Sequence, residues 1–546
     1  MSKRILGASI GSCIHVAGVL NFLDLAEKLE YQTKFLGPAV RIDDLIREIM
    51  EYDPDIIGVS YRLTPENAQV LFEELKKKIS HHGIKNKRWI CGGTAPVCSV
   101  AEKSGLFERV FDGLSTMEDT ISYLKHEEVT QEKDYYPQTL IERVFLKKPF
   151  PILRHHFGLP SLEETTRGIQ RIAEAQVVDV ISIAPDQNAQ ESFFRPEEMT
   201  EETGSGGVPF RRKEDLVRMY RASRRGNYPL LRCYSGTRDL MRMSRLLCET
   251  INNAWTATPL TWYSELDGRS ARPLREAISE NQENMRWNAE RGIPVEVNEA
   301  HQWSLRNAHD TLAVVMAYLA AYNAKNMGVS TYVSQYMFNT PLGTSPLMDV
   351  AKMIAKMTLI ESLHDQTFTS LRQVRVAGLL SYPVDTDYAM GQLAFAVSVG
   401  MAIHPDIVHC VSYSEADHAA TPEDVIRTSK IARRVIQNCL MGMPDAAADP
   451  RVIQRKNQLL REAYILIDAI KTLGSSAEEP LTDPEVLEKA VRCGLLDAPQ
   501  LKGSTIARGE VRTQMINGAC YAVNEGQIMT EQERIDGLAE DVICGY

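Results

Sequence analysis

A chain of 546 residues exceeds what one hydrophobic core usually supports, so at least two domains are expected, one of them able to form a barrel of about 250 residues or more. A net charge of −11 argues against nonspecific nucleic-acid binding, which needs concentrated Lys and Arg to neutralise phosphates. No run approaches the roughly 20 apolar residues that cross a bilayer, so membrane insertion is not expected. The start, Met1-Ser2-Lys3-Arg4, turns apolar as a signal peptide does. The interruption Ile10-Gly11-Ser12-Cys13-Ile14-His15 and the helical pattern after it read instead as strand, loop and helix, and a cytoplasmic location is expected. Ten cysteines without a C-x-x-C pair or a tight Cys/His cluster indicate reduced thiols rather than disulfides or structural zinc.

In chain order, short apolar runs and helical periodicities alternate over 4–10, 17–29, 33–36, 42–51, 56–60, 66–79, 88–91 and 109–111. Such alternation predicts a parallel sheet with helices on both faces, a doubly wound α/β domain over residues 1–126. Lys76-Lys77-Lys78 in this stretch reads as a solvated helix face. Residues 127–148 are polar and aperiodic and read as a linker. From 149 to 473, eight β-rich runs recur at 151–157, 177–185, 229–235, 259–263, 294–299, 329–337, 373–381 and 406–413, with helical stretches between most of them. They predict an eight-stranded (β/α) barrel, a TIM-type fold, with following helices. Residues 474–546, with a helical piece and Gly-punctuated turns, form an accessory segment.

The candidate binding residues of the first domain lie where its strands end. Ligands of open parallel sheets bind at the carboxyl ends of strands, and there the chain reads Cys13-Ile14-His15-Val16-Ala17-Gly18, then Ser60-Tyr61-Arg62-Leu63, then Gly92-Gly93. A histidine on such a loop is a metal-ligand candidate, and paired glycines let an extended ligand pass close to the backbone. These pieces resemble the cobalamin-binding domain shared by corrinoid mutases and methionine synthase, whose signature is D-x-H-x-x-G, then S-x-L, then G-G. The resemblance implies cobalamin binding, with His15 as the lower cobalt ligand and Cys13, Gly18, Ser60, Leu63, Gly92 and Gly93 around the cofactor. Two departures stand out: Cys13 replaces the aspartate, and one extra residue separates Ser60 from Leu63.

The sequence from 151 to about 525 resembles the large subunit of glutamate mutase (methylaspartate mutase) at Gly236-Thr237-Arg238-Asp239, Tyr382-Pro383, Glu415-Ala416 and the tail Gly509-Glu510-Val511-Arg512. This similarity implies an isomerase: a cytoplasmic carbon-skeleton mutase using adenosylcobalamin and radical chemistry in the barrel. Tyr336 falls on a family active-site tyrosine and Glu415 on a residue beside the adenosyl ribose, while the family's lysine falls on Val411. The three arginines that grip the dicarboxylate fall on His156, Tyr234 and Glu299, so a substrate other than glutamate is expected. The strand ends read as polar, aromatic and acidic, which suggests a neutral or amine-bearing small molecule. Alternatively, their carboxylates pair with Arg232, Arg238 or Arg269 and pack the rim. His155, His156, Glu299 and His301 are also candidate ligands of a divalent metal. Competing functions are a corrinoid methyltransferase and a non-catalytic corrinoid carrier or sensor. A homodimer is the expected assembly.

Overall fold

A computed structural model describes residues 3–113, 117–124, 136–234, 236–376 and 382–543. The chain divides into two compact units, Met1–Tyr135 and Tyr136–Tyr546. In the first, five strands, β1 (Arg4–Ile10), β2 (Gln32–Val40), β3 (Ile56–Tyr61), β4 (Arg88–Gly93) and β5 (Arg109–Phe111), pair in parallel in the order β2-β1-β3-β4-β5. Side chains alternate across a strand. Ile5 and Ile56 therefore pack with Val19 and Leu23 of the helix Ala17–Lys28 on one face, while Leu6, Ala8 and Ile57 pack with Leu45, Ile49 and Phe72 on the other. β2 runs longer than the pattern 33–36 suggested. Gly37-Pro38 looks like a breaker, but β2 is an edge strand, where a missing N–H costs no ladder bond, and the register shifts opposite it.

The second unit carries eight parallel strands: β6 (Ile152–Phe157), β7 (Val180–Ile183), β8 (Leu230–Cys233), β9 (Thr256–Thr258), β10 (Val295–Val297), β11 (Thr331–Met337), β12 (Thr369–Val376) and β13 (Ile407–Cys410). Their order is β8-β7-β6-β13-β12-β11-β10-β9. The two ends of this order meet at a seam where the Ala254 N–H donates to the Leu231 carbonyl at 2.9 Å and the Cys233 N–H to Asn253 Oδ1 at 2.9 Å. The sheet is a nearly closed barrel with a helix after each strand. β9 lies upstream of the predicted run 259–263. Those residues form the loop after it, with Trp262 stacked edge-on against Trp303 at 4.8 Å. The predicted strand 373–381 ends in residues 377–381, outside the described ones. Within the stretch read as a linker, Leu140–Lys147 is a helix. It joins Leu140 and Val144 to Ile152, Val180, Leu230, Val333 and Ile407 in an apolar cluster.

The accessory segment is more ordered than a set of turns. Its strands β14 (Thr513–Ile516), β15 (Ala519–Asn524) and β16 (Gln527–Ile528) form an antiparallel sheet. The buried carboxylate of Asp310 fastens it: Oδ2 accepts from the Cys520 N–H at 3.1 Å and from Arg455 at 2.9 Å, and Oδ1 from Lys352 at 3.1 Å. Among the described residues no helix is long and apolar enough to cross a membrane, and all nine described cysteines are free thiols. Replacing Asp310 by Asn leaves the buried Arg455 without its counter-charge and Lys352 with Asp349 alone. The expected loss is about 3–5 kcal/mol in the unfolding of the barrel unit, read by urea titration; a loss below ~1 kcal/mol would show that the cluster is not a fastening point.

Candidate functional site

In the first unit the chain turns from β1 to β2 on one side and places β3 on the other, so the order reverses between β1 and β3. The crevice beyond such a reversal is where open α/β sheets take ligands. His15 stands on the loop that leaves β1 there. The Ser9 hydroxyl lies 2.8 Å from the Cys13 carbonyl and 3.3 Å from that of Ser60, and the Ser60 hydroxyl donates to the His15 carbonyl at 3.4 Å. Two buried serines thus brace the loop from the ends of β1 and β3. The His15 ring itself is exposed, with Nδ1 3.7 Å from the buried Cys13 Sγ. A thiol is a weaker hydrogen-bond partner for the ring than the carboxylate of the related signature.

The register pairs Ser60 with Gly92 and Tyr61 with Gly93, which brings the glycines one strand away from the histidine loop. A Cβ on Gly93 would stand 2.7 Å from the Tyr61 carbonyl, so only glycine fits there. Around Gly18 a Cβ would meet nothing within 4 Å, and Gly92 has only the Phe111 carbonyl at 3.9 Å. Ile14 and Leu63 are both exposed on the loops after β1 and β3. An accessible imidazole, open backbone and surface apolar groups at one sheet edge fit a large planar metal cofactor, with Nε2 of His15 as the available ligand atom.

The barrel interior is layered. Register and alternation turn Arg154, Ser182, Arg232, Trp255, Glu296, Gln373 and His409 inward. Beneath them lies the apolar cluster around Ile152, Val180, Leu230 and Val333. At mid-height Arg154 donates to Ser182 at 2.7 Å, to Gln373 at 2.6 Å and to Glu296 Oε2 at 3.3 Å. The same Oε2 accepts from Arg232 at 3.2 Å and from the Trp255 indole at 2.6 Å. Burial works to raise the Glu296 pKa, but the two guanidiniums and the indole outweigh it and hold the group ionised.

Above this layer lie His156, His409 and Arg375. The His156 ring opens to solvent at the barrel mouth, 4.7 Å from that of His409, and its Nε2 accepts from Arg154 at 2.9 Å. Enclosure by the barrel, together with Arg154, holds both imidazoles well below their usual pKa, so both are neutral. Tyr234 sits beside Tyr263, ring centroids 5.4 Å apart, with its phenol pushed well upward by burial; its hydroxyl and His409 Nδ1 have no hydrogen-bond partner among the described residues. Glu415, exposed after β13, is raised by its enclosure against the pull of Arg375.

Of the sequence-derived barrel residues, His156 and Tyr234 reach the mouth and Glu415 stands near Arg375. Two do not line the interior. Tyr336 pairs in register with Val374, whose methyl groups face Gly400 of the outer helix Thr386–Gly400, so it faces the helical layer while Gln335 turns inward. Glu299 is fully buried and accepts from the Leu260 N–H at 2.8 Å, the Thr261 N–H at 3.1 Å, the Thr261 hydroxyl at 2.5 Å and the Trp303 indole at 2.9 Å. It is a strut for the loop after β9 and has no capacity left for a ligand. His155 and His156, adjacent on β6, point to opposite faces and cannot share a metal; the described residues hold no group of three His, Cys, Asp or Glu placed to bind one. Rim pairing does occur: Arg232 meets Glu296, Arg238 meets Glu191 at 3.0 Å and Arg269 meets Asp267 at 2.5 Å. Arg375 and His409 were missed. Their signal was alternation, since Gln373 and Arg375 share one face of a strand.

No protein-family model and no curated protein matches the chain. Among solved structures it is similar to a novel cobalamin-binding protein from Desulfitobacterium hafniense DCB-2, at 23% identity and a TM-score of 0.20. The match covers 23% of this chain and spans about half, 56%, of that protein, and a likeness this slight carries no functional argument.

Three buried histidines set an acid limit on the fold. Burial lowers His155 to about 4 and His301 to about 3, and lowers His309 to about 4 despite the nearby Glu531. Below the unfolded value of ~6.5 the unfolded chain binds more protons than the folded one, so these groups make stability fall as pH drops from about 6.5 towards 4. Urea titrations at pH 7 and pH 4.5 should show that loss. His155→Gln should reduce its slope by up to about 1.4 kcal/mol per pH unit; an unchanged slope would mean that His155 titrates normally.

Proposed function

We propose that the chain is a corrinoid-dependent isomerase, which uses adenosylcobalamin held by the first unit to rearrange the carbon skeleton of a small substrate held in the barrel mouth. The observation that carries this reading is His15: a single accessible imidazole, braced through its loop by Ser9 and Ser60 at the order reversal of a β2-β1-β3-β4-β5 sheet. The signature resemblance at Cys13–Gly18, Ser60–Leu63 and Gly92-Gly93 supports the same reading. His15 Nε2 would hold the cobalt, and the open backbone at Gly92 and Gly18 would border the cofactor. In its adenosyl form the corrinoid supplies a carbon radical that can take a hydrogen atom from an unactivated position.

The barrel's own part is to bind, orient and exclude water. Neutral His156, whose Nε2 accepts from Arg154, keeps its Nδ1–H to donate, neutral His409 has Nδ1 free of partners among the described residues, and the Tyr234 phenol is a neutral donor in the same condition. The apolar cluster beneath closes the lumen from below, which limits side reactions of a radical with solvent. The Tyr382 hydroxyl donates to the Val411 carbonyl at 3.0 Å and so holds the segment leading to Glu415 rather than a ligand.

Reconstitution with adenosylcobalamin should give a histidine-ligated absorption spectrum, which His15→Ala converts to the base-off form. An unchanged spectrum of the bound cofactor in the variant would remove His15 as ligand. Electron paramagnetic resonance of the reconstituted protein with a panel of amino acids and small acids should show a cobalt-coupled radical with one of them; binding without any radical would turn the reading towards methyl transfer.

A further inference from the structure

We propose that the barrel mouth takes a substrate bearing one carboxylate, gripped by Arg375 with His409 Nδ1 on the neighbouring strand and the Tyr234 hydroxyl facing it from across the lumen. The identity of the reaction rests on the isomerase reading above; the carboxylate site does not. Among the described residues three guanidiniums, Arg154, Arg232 and Arg375, turn into the lumen, against one inward strand carboxylate, Glu296, which Arg154 and Arg232 share through a single oxygen. Arg375 has no carboxylate at ion-pair distance among the described residues, and its buried Nε has no hydrogen-bond partner there; the buried Nε of Arg232 is in the same condition. Buried donors without partners are costly, and a group that fills them binds by removing that cost.

The acids that made the strand ends look negative are otherwise engaged. Glu299 accepts four hydrogen bonds from its own surroundings. Asp186 pairs with Arg211 at 2.5 Å, and Asp385 caps the helix Thr386–Gly400 through the N–H groups of Asp387 and Tyr388. Glu415, exposed on the loop after β13, acts on Arg375 only from beyond ion-pair distance. The lumen is therefore cationic by at least one charge. An amine would meet a like charge at Arg375, and a second carboxylate would have no free guanidinium. A planar guanidinium can hold one carboxylate through two N–H groups, leaving the neutral imidazole and phenol to read the rest of the molecule.

The test is calorimetry and ligand-observed NMR on the full chain, with and without adenosylcobalamin, using butyrate, butyramide, butylamine and glutarate. Butyrate should bind about tenfold or more tightly than butyramide, butylamine should not compete, and glutarate should gain nothing over butyrate. Arg375→Gln should lower butyrate affinity about tenfold and leave butyramide unchanged, Arg375→Lys should fall between, and the isosteric Tyr234→Phe should cost a few-fold. Equal binding of amide and acid, insensitivity to Arg375→Gln and Tyr234→Phe, or no binding of any probe would overturn the proposal. Butyrate binding in a chain that takes up no corrinoid would keep this site and remove the isomerase reading, and the reverse result would separate the two equally.

Discussion

One carboxylate oxygen organises the barrel. Glu296 Oε2 on β10 receives Arg154 from β6, Arg232 from β8 and the indole of Trp255 at the start of β9, so four parts of the closed sheet meet across the lumen at hydrogen-bond distance. Both guanidiniums also lie over the Trp255 ring, 5.2 and 5.7 Å from its centroid. Burying ions is costly, and such a network persists where geometry and added hydrogen bonds offset the desolvation. Here it divides the lumen into an apolar floor and a polar mouth. Enclosure in the barrel and this positive excess together keep the two mouth histidines neutral, because protonating either would place a desolvated charge beside Arg154 and Arg375.

The first unit solves a different problem by simpler means. Its sheet order fixes where a ligand can lie, and two serine hydroxyls fix the loop that carries His15. Cys13 takes the place where the related signature has aspartate, and its Sγ lies 3.7 Å from His15 Nδ1, where that signature sets a carboxylate. The two units differ in kind: one presents an exposed imidazole on an open sheet edge, the other a walled chamber with hydrogen-bonding groups that have no partner among the described residues.

Much of this fold was legible in the sequence because parallel strands buried on both faces leave apolar runs, and helices leave a longer period. The alternation of both units emerged that way. β9 did not, since the Trp- and Tyr-rich stretch 259–263 has strand-like residues but is pinned as a loop by Glu299, a contact 39 residues away. β2 was cut short because Gly37-Pro38 is tolerated only at a sheet edge, and edge position is a tertiary fact. The first-unit candidate residues could be placed in the fold from sequence because they follow strand ends directly. In the barrel, facing decided the outcome: Tyr336 and Gln335 are neighbours in sequence and lie on opposite faces, and only the pairing of Gln335 with Gln373 tells which one enters the lumen. Charge could not be summed before pairing was known, which is why the mouth read as acidic.

The central claim is that His15 ligates cobalt. The most direct measurement is electron paramagnetic resonance of the cobalt(II) form of the reconstituted full chain, prepared once with natural histidine and once with histidine labelled with nitrogen-15 in the ring. Coordination by His15 requires the cobalt lines to split into triplets with natural nitrogen and doublets with the label, and the splitting to vanish in His15→Ala. Lines that carry no nitrogen splitting, or a splitting unchanged by the label, would contradict the account.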